Sequence, residues 1–204
     1  MKIIAGVDEA GRGSLIGPVY AAAVILNKSI KKKLLKDSKS ISKNRREFLF
    51  KYIKKNSIWA TGQASVKEIE KINILQASLL AMKRAILKLK KKPNIVLIDG
   101  NQLPNLKNYN LKTVIKGDQK IPSISAASII AKVSRDKFIT ILANTNKGYF
   151  WNQNFGYGTK KHLLAIKKLG ITRHHRKTFS PISIINTPKK HNIWLLKNKL
   201  TQKN

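Results

Sequence analysis

The sequence predicts a single α/β domain, a mixed β-sheet with helices on both faces. Three observations carry this expectation. Apolar runs of strand length stand at residues 2–8, 18–26, 58–64, 95–98 and 111–115. Longer stretches repeat apolar residues at helical spacing. Three strand candidates come early, a long helix follows, and strands and helices then alternate.

The first two runs are joined by the glycine-rich turn Gly11-Arg12-Gly13 and read as a close strand pair. Residues 42–52 read as a helix, and 58–64 as a third strand ending at Ser65. Ser65-Val66-Lys67-Glu68 has the form of a capping box. Behind it Ile69, Ile72, Leu75, Leu79, Met82, Ile86 and Leu89 predict a long helix interrupted near Asn73. Pro93 ends that helix. Ile95-Val96-Leu97-Ile98 has no polar interruption, as in a strand covered on both faces, and terminates at Asp99-Gly100. A fifth strand at 111–115, a compact helix at 123–143, a glycine and aromatic loop at 148–158 and a short helix at 160–169 complete the domain. These elements assign residues 1–180 to one unit. Beyond Pro181 the chain is basic and weakly apolar, a tail of residues 181–204 with Trp194-Leu195-Leu196 as its anchor.

With 42% hydrophobic residues over 204, the chain can bury a proper core. No apolar stretch approaches the roughly 20 residues needed to span a bilayer. The N-terminus enters a strand at once, without the pattern of a signal peptide, so a cytoplasmic protein without a membrane partner is expected. Zero cysteines exclude disulfides and thiolate metal sites and leave oxygen or imidazole as metal ligands. A formal charge of +33 attracts polyanions, nucleic acid first among them. Abundant Lys, Ile and Asn are also what drift towards AT-rich codons produces, and we assign about half of the excess to that source.

Against 42 Lys and Arg stand only nine Asp and Glu, and four of these acids fall at meaningful points. Asp8 and Glu9 close the first apolar run, Asp99 closes the most buried strand, and Asp136 lies beside the apolar stripe of its helix. Converging carboxylates within about 4 Å repel by roughly 4 kcal/mol per pair at an effective dielectric of 20. Such a cluster needs cations, and oxygen ligands favour Mg²⁺ or Mn²⁺ over Zn²⁺. Two such ions can activate a water and stabilise the leaving oxygen in phosphodiester hydrolysis. Taken singly, each acid also fits a plain role: strand end, turn, or partner of Arg135 or Lys132. Neighbours in a regular strand point to opposite faces, so Asp8 and Glu9 share a site only if the strand ends or twists there.

The segments GVDEAGRGSLIGP at 6–18, IDG at 98–100, SAASIIAKVSRD at 125–136 and GYGTKKH at 156–162 closely resemble, in order, bacterial ribonuclease HII, the type 2 ribonuclease H. The resemblance runs from about residue 2 to 179. It implies a ribonuclease H-like fold: a five-stranded mixed sheet flanked by helices, with additional C-terminal helices. It implies metal-dependent cleavage of the RNA strand of RNA/DNA hybrids and incision 5′ to a lone ribonucleotide in duplex DNA, leaving 3′-hydroxyl and 5′-phosphate ends. The role expected is ribonucleotide removal in DNA replication and repair.

The family's metal-site and catalytic carboxylates fall on Asp8, Glu9, Asp99 and Asp136, with Mn²⁺ or Mg²⁺, two ions during catalysis. Its readers of the junction between RNA and DNA fall on Gly11, Arg12, Gly13 and Tyr157. Lys39 and Lys116 match basic positions of family motifs and are expected phosphate contacts. His162 is expected to be structural or to support the site from behind, and His174-His175 lack the spacing of helical metal ligands. Ser14 stands where the family often has Pro, and residues 151–155 replace a more basic lead into GYGT. The Asp as fourth acid, the GRG turn and the short lead before the first strand favour ribonuclease HII over ribonuclease HIII. A monomer is expected. The alternative is a non-catalytic basic nucleic-acid-binding protein, in which the acids are structural and Asp8→Asn leaves function intact.

Overall fold

The computed structural model of the protein describes residues 2–35 and 41–185. Five strands form one sheet: β1 (Ile4–Ala10), β2 (Val19–Leu26), β3 (Ser57–Ala64), β4 (Ile95–Asp99) and β5 (Leu111–Val114). Their order is β3-β2-β1-β4-β5, with β1 at the centre. β1 runs antiparallel to β2 and parallel to β4, so the sheet is mixed. Among the described residues seven helices accompany it: α1 (Lys43–Lys55), α2 (Val66–Leu87), α3 (Gly117–Lys120), α4 (Pro122–Thr145), α5 (Trp151–Asn154), α6 (Lys160–Leu169) and α7 (Ile182–Ile185), plus a 3-10 turn at Lys32–Leu35.

Alternation along β1 separates two cores. Ala5 and Val7 pack with Ala21, Ala23, Ile69, Ala81 and Ala85 on the α2 face. Ala10 packs with Ala22, Val24, Leu49, Ile53, Ile129 and Ile130 on the face covered by α1 and α4. A third cluster, with Ile16, Ile139, Trp151, Ile166 and Ile182, docks the C-terminal helices onto α4.

The predicted elements are present, with instructive differences. The capping box at Ser65 and Glu68 is formed, and Asn73 (φ 63°, ψ 169°) breaks the helical course of α2 where its interruption was expected. The Asn73 side chain then accepts the N–H groups of Leu75 and Gln76 and restarts the helix. β1 extends to Ala10 because Glu9 and Ala10 pair with Ala21 and Tyr20 of β2, so both acids lie inside the strand. The loop expected at 148–158 contains α5, bracketed by Phe150 and Phe155, both at positive φ. Of the expected tail 181–204, residues 182–185 form α7; residues 186–204, including Trp194, lie outside the described residues. Among the described residues no helix is long and apolar enough to cross a membrane.

Gly6 sets the approach of α4 to the sheet. A Cβ there would stand 2.2 Å from the Ser123 carbonyl carbon and 2.3 Å from the Ile124 nitrogen, both backbone atoms that cannot swing aside. Gly6→Ala is therefore expected to destabilise the protein by the 1–3 kcal/mol typical of overpacking, or more. A thermal melt reads this as a fall of about 2–4 °C per kcal/mol for a chain of this size.

Candidate active site

β1 and β4 run parallel in the register Val7↔Ile98, so the next step along both strands brings Asp8 beside Asp99 at one end of the sheet. Asp8 points to the α4 face and is buried. Its Oδ1 accepts the Glu9 N–H at 2.7 Å, and it accepts a hydrogen bond from the Ser128 side chain on α4. Burial, with the negative charges of Glu9 and Asp99 added, holds the Asp8 carboxyl well above the usual carboxylate range. Glu9 is also raised by burial, against the pull of Arg12, whose Nη1 stands 3.2 Å from its Oε1. Asp99 Oδ1 accepts the Gly117 N–H at 2.7 Å. Three carboxylates from two strands thus share one electrostatic site although Asp8 and Glu9 leave β1 on opposite faces.

Asp136 comes from α4, one helical step beyond Lys132, whose Nζ lies 2.9 Å from its Oδ1. The plain reading of Asp136 as a partner of Lys132 therefore holds in this state, whereas Arg135 turns elsewhere. Among the described residues no three His, Asp or Glu side chains stand together as a formed cation site. The two lateral acids, Glu9 and Asp136, are each compensated by a side-chain cation. A buried carboxylate crowded by like charges, an all-oxygen donor set and neighbouring ammonium and guanidinium groups on the outer acids fit a hard divalent ion.

Beside this cluster lies a cleft of about 320 Å³ lined by Glu9, Gly11, Arg46, Ser128, Lys132 and Tyr157, among others. It joins Glu9 to Gly11 of the glycine turn and to the tyrosine. The two glycines of that turn differ. Gly11 has φ +92°, and a Cβ there would stand 2.0 Å from Arg135 Nε, whereas a Cβ on Gly13 would meet nothing within 4 Å. Gly11 is thus required by internal packing, while exposed Gly13 leaves its face open to a ligand. Tyr157 is exposed, with Lys132 Nζ 5.4 Å and Arg135 Cζ 5.6 Å from its ring centre.

His162 supports that tyrosine from behind. Its Nε2 accepts the Trp151 Nε1–H at 2.9 Å, which leaves Nδ1 as the donor to the Tyr157 carbonyl, also at 2.9 Å. Burial lowers its pKa, so the neutral ring is the stable form. His175 accepts the Thr172 N–H through Nδ1 and packs in tilted and edge-on contacts with Tyr149, Trp151 and His162. Lys116, exposed in a left-handed conformation, caps α3 next to Gly117 and is outside the cleft lining. Lys39 lies outside the described residues.

Sequence reasoning passed over Ser128, Lys132, Arg135 and Arg46 as site residues. The first two were findable, since 128, 132 and 136 recur every four residues along one helix face. Arg135 is fully buried and makes four hydrogen bonds: Nε to the Pro18 carbonyl, Nη1 to Phe155, and Nη2 to Ser14 Oγ and the Ile16 carbonyl. Desolvating a guanidinium costs several kcal/mol. Bonds from charged donors, at about 1.5–3 kcal/mol each, offset this.

Because the folded state disfavours ionised Asp8, its charge destabilises the protein above its folded pKa and has no effect below the unfolded value near 3.9. Asp8→Asn is expected to raise the cation-free thermal midpoint at neutral pH, a gain that shrinks towards about pH 4. For His162, ¹⁵N NMR at neutral pH should show the Nδ1–H tautomer, with no titration above the ordinary imidazole range near 6.5.

A sequence profile of the family described as Ribonuclease HII matches residues 5–182. Ribonuclease HII of Pelagibacter ubique (strain HTCC1062) is 79% identical over 183 residues, covering 90% of this chain and 98% of the relative. Ribonuclease HII of Roseobacter denitrificans is 49% identical over 179 residues, covering 88% and 90%. Among solved structures, the ribonuclease H2 from Pyrococcus horikoshii OT3 superposes with a TM-score of 0.73 at 28% identity, covering 91% of this chain and 97% of that one. The sheet order, the flanking helices and these matches agree: the chain belongs to the ribonuclease HII family, endonucleases with ribonuclease H activity on RNA/DNA hybrids.

Proposed function

We propose that this enzyme, besides cutting the RNA strand of hybrids, incises duplex DNA on the 5′ side of a single embedded ribonucleotide, in ribonucleotide removal during replication and repair. One observation supports this most: a single cleft runs from Glu9, at the carboxylate end of β1, to Gly11 and the exposed ring of Tyr157, with the unobstructed Gly13 in the same turn as Gly11. The 2′-hydroxyl is the only group that distinguishes the target nucleotide from its neighbours. Unobstructed backbone at Gly13 can approach it, while the Tyr157 ring offers a flat surface to the following sugar. Arg46 lines this cleft, and Arg12 lines a second pocket that shares Glu9 with it and includes Asp99, so both can bear on the phosphates.

Asp8, Glu9, Asp99 and Asp136 are the residues that would hold Mg²⁺ or Mn²⁺. A bound pair of such ions supplies activation of water and stabilisation of the leaving 3′-oxygen. Asp8 is fixed for this by the Glu9 N–H and Ser128, and Asp99 by the Gly117 N–H. Glu9 and Asp136 would release Arg12 and Lys132, freeing both cations to meet the phosphate backbone. Cleavage of the P–O3′ bond leaves a 3′-hydroxyl on the upstream strand and a 5′-phosphate on the ribonucleotide. Residues 1–180 would form the catalytic unit and 181–204 a basic tail, with the enzyme acting as a cytoplasmic monomer. Family membership sets aside the reading of a non-catalytic basic binder.

The test is cleavage of an end-labelled duplex containing one ribonucleotide, with Mg²⁺ or Mn²⁺. The wild type should cut 5′ to the ribonucleotide, and Asp8→Asn should lose the cut while retaining duplex binding. Gly13→Ala should fold normally yet slow this cleavage by tenfold or more, about 1.4 kcal/mol of lost transition-state stabilisation. Full activity of Asp8→Asn would sink the metal assignment; full activity of Gly13→Ala would sink the assignment of the turn.

A further inference from the structure

The two elements assigned above to reading the junction are distant in sequence, and one buried side chain touches both. The acceptors of Arg135 fall in two groups. Ser14 Oγ (2.6 Å), the Ile16 carbonyl (3.1 Å) and the Pro18 carbonyl (3.3 Å) belong to the segment that continues the Gly11–Gly13 turn. The Phe155 carbonyl (3.1 Å) lies two residues before Tyr157. The same guanidinium stands 5.6 Å from the Tyr157 ring centre and packs against Gly11 so closely that a Cβ there would overlap it.

Arg176, the other fully buried arginine, differs. Its Nε donates to the Gly17 carbonyl and its Nη1 to the Arg12 carbonyl, both at 2.9 Å, so its hydrogen bonds brace the turn alone. A planar fork with donors in fixed directions is suited to holding two backbone segments at a set separation, and a lysine ammonium lacks that geometry. Ser14 completes the arrangement, accepting from Arg135 and donating to the Ile16 carbonyl at 3.1 Å.

We propose that Arg135 is a positioning residue for substrate choice: its guanidinium fixes the spacing between the Gly11–Gly13 turn and Tyr157. It thereby sets how strictly the enzyme requires a deoxyribose after the ribose at which it cuts. The inference rests on the junction-reading role proposed above. Arg135 does not touch the substrate; it acts through backbone carbonyls and the back of the tyrosine ring.

The experiment compares wild type, Arg135→Lys and Ser14→Ala on two substrates, a duplex with one ribonucleotide and a uniform RNA/DNA hybrid. kcat, KM and the cut positions are measured on both, and thermal melts confirm folding. Arg135→Lys should lower kcat on the single ribonucleotide by about tenfold to a hundredfold, the cost of a small misplacement, with KM little changed. The loss on the hybrid should be several times smaller, and cuts should spread to neighbouring phosphates. Ser14→Ala should shift the ratio of the two activities in the same direction by a smaller factor. Equal slowing of both substrates with unchanged cut positions would show a structural role only and overturn the proposal. If Arg135→Lys does not fold, Ser14→Ala decides, and an unchanged ratio there overturns it. A wild type that cuts the hybrid but not the embedded ribonucleotide would instead refute the junction reading itself, and the inference with it.

Discussion

Everything at the site hangs on the close contact between α4 and the central strand. Gly6 lets the helix backbone at Ser123 and Ile124 settle directly on β1. A helix is stiff and rises 1.5 Å per residue, so anchoring it at residues 123–124 fixes where its next turns fall. Ser128 then reaches Asp8, Lys132 and Asp136 follow at steps of four, and Arg135 enters the loops beyond the sheet. A larger residue at position 6 would displace all of these together.

The few acids show how environment divides one chemistry into two uses. Glu68 accepts from Ser65 and Arg84 at the start of α2, which pulls its carboxyl down to about 2. Glu47 pairs with Lys137, and Glu70 accepts the Lys177 N–H. Asp8 is driven the opposite way, because it is buried beside two further carboxylates. A chain of formal charge +33 with only nine acids nonetheless concentrates three of them at one sheet end. The cost of that arrangement is what a divalent cation would relieve. Around it the surrounding basic charge favours approach of a polyanion.

The parts proposed to meet the substrate are loops, and their order comes from groups buried beneath them. Arg135 and Arg176 both donate to carbonyls of residues 12–18, and His162 holds the Tyr157 carbonyl. Loops carry recognition when a rigid scaffold positions them. Here the scaffold is polar, built from Arg135, Arg176 and His162, each buried and donating to loop carbonyls, beside the apolar cluster of Trp151, Ile16 and Ile139.

Read alone, the sequence yielded the strand candidates, the capping box and the break at Asn73, and it singled out Asp8, Glu9, Asp99 and Asp136 as candidate site residues. These were legible because period, caps and the expense of carboxylates near apolar runs are local signals. The extension of β1 through Glu9 to Ala10 was not legible, since it depends on pairing with β2. Nor was the difference between Gly11 and Gly13, which look alike in the sequence; Arg135, over a hundred residues away, makes one of them structural. Only the tertiary structure decided that Lys132, not Arg135, partners Asp136, and that Arg135 joins two distant loops. The reason is physical: a guanidinium's role is set by which carbonyls surround it once water is excluded, and those carbonyls come from segments that only folding brings together.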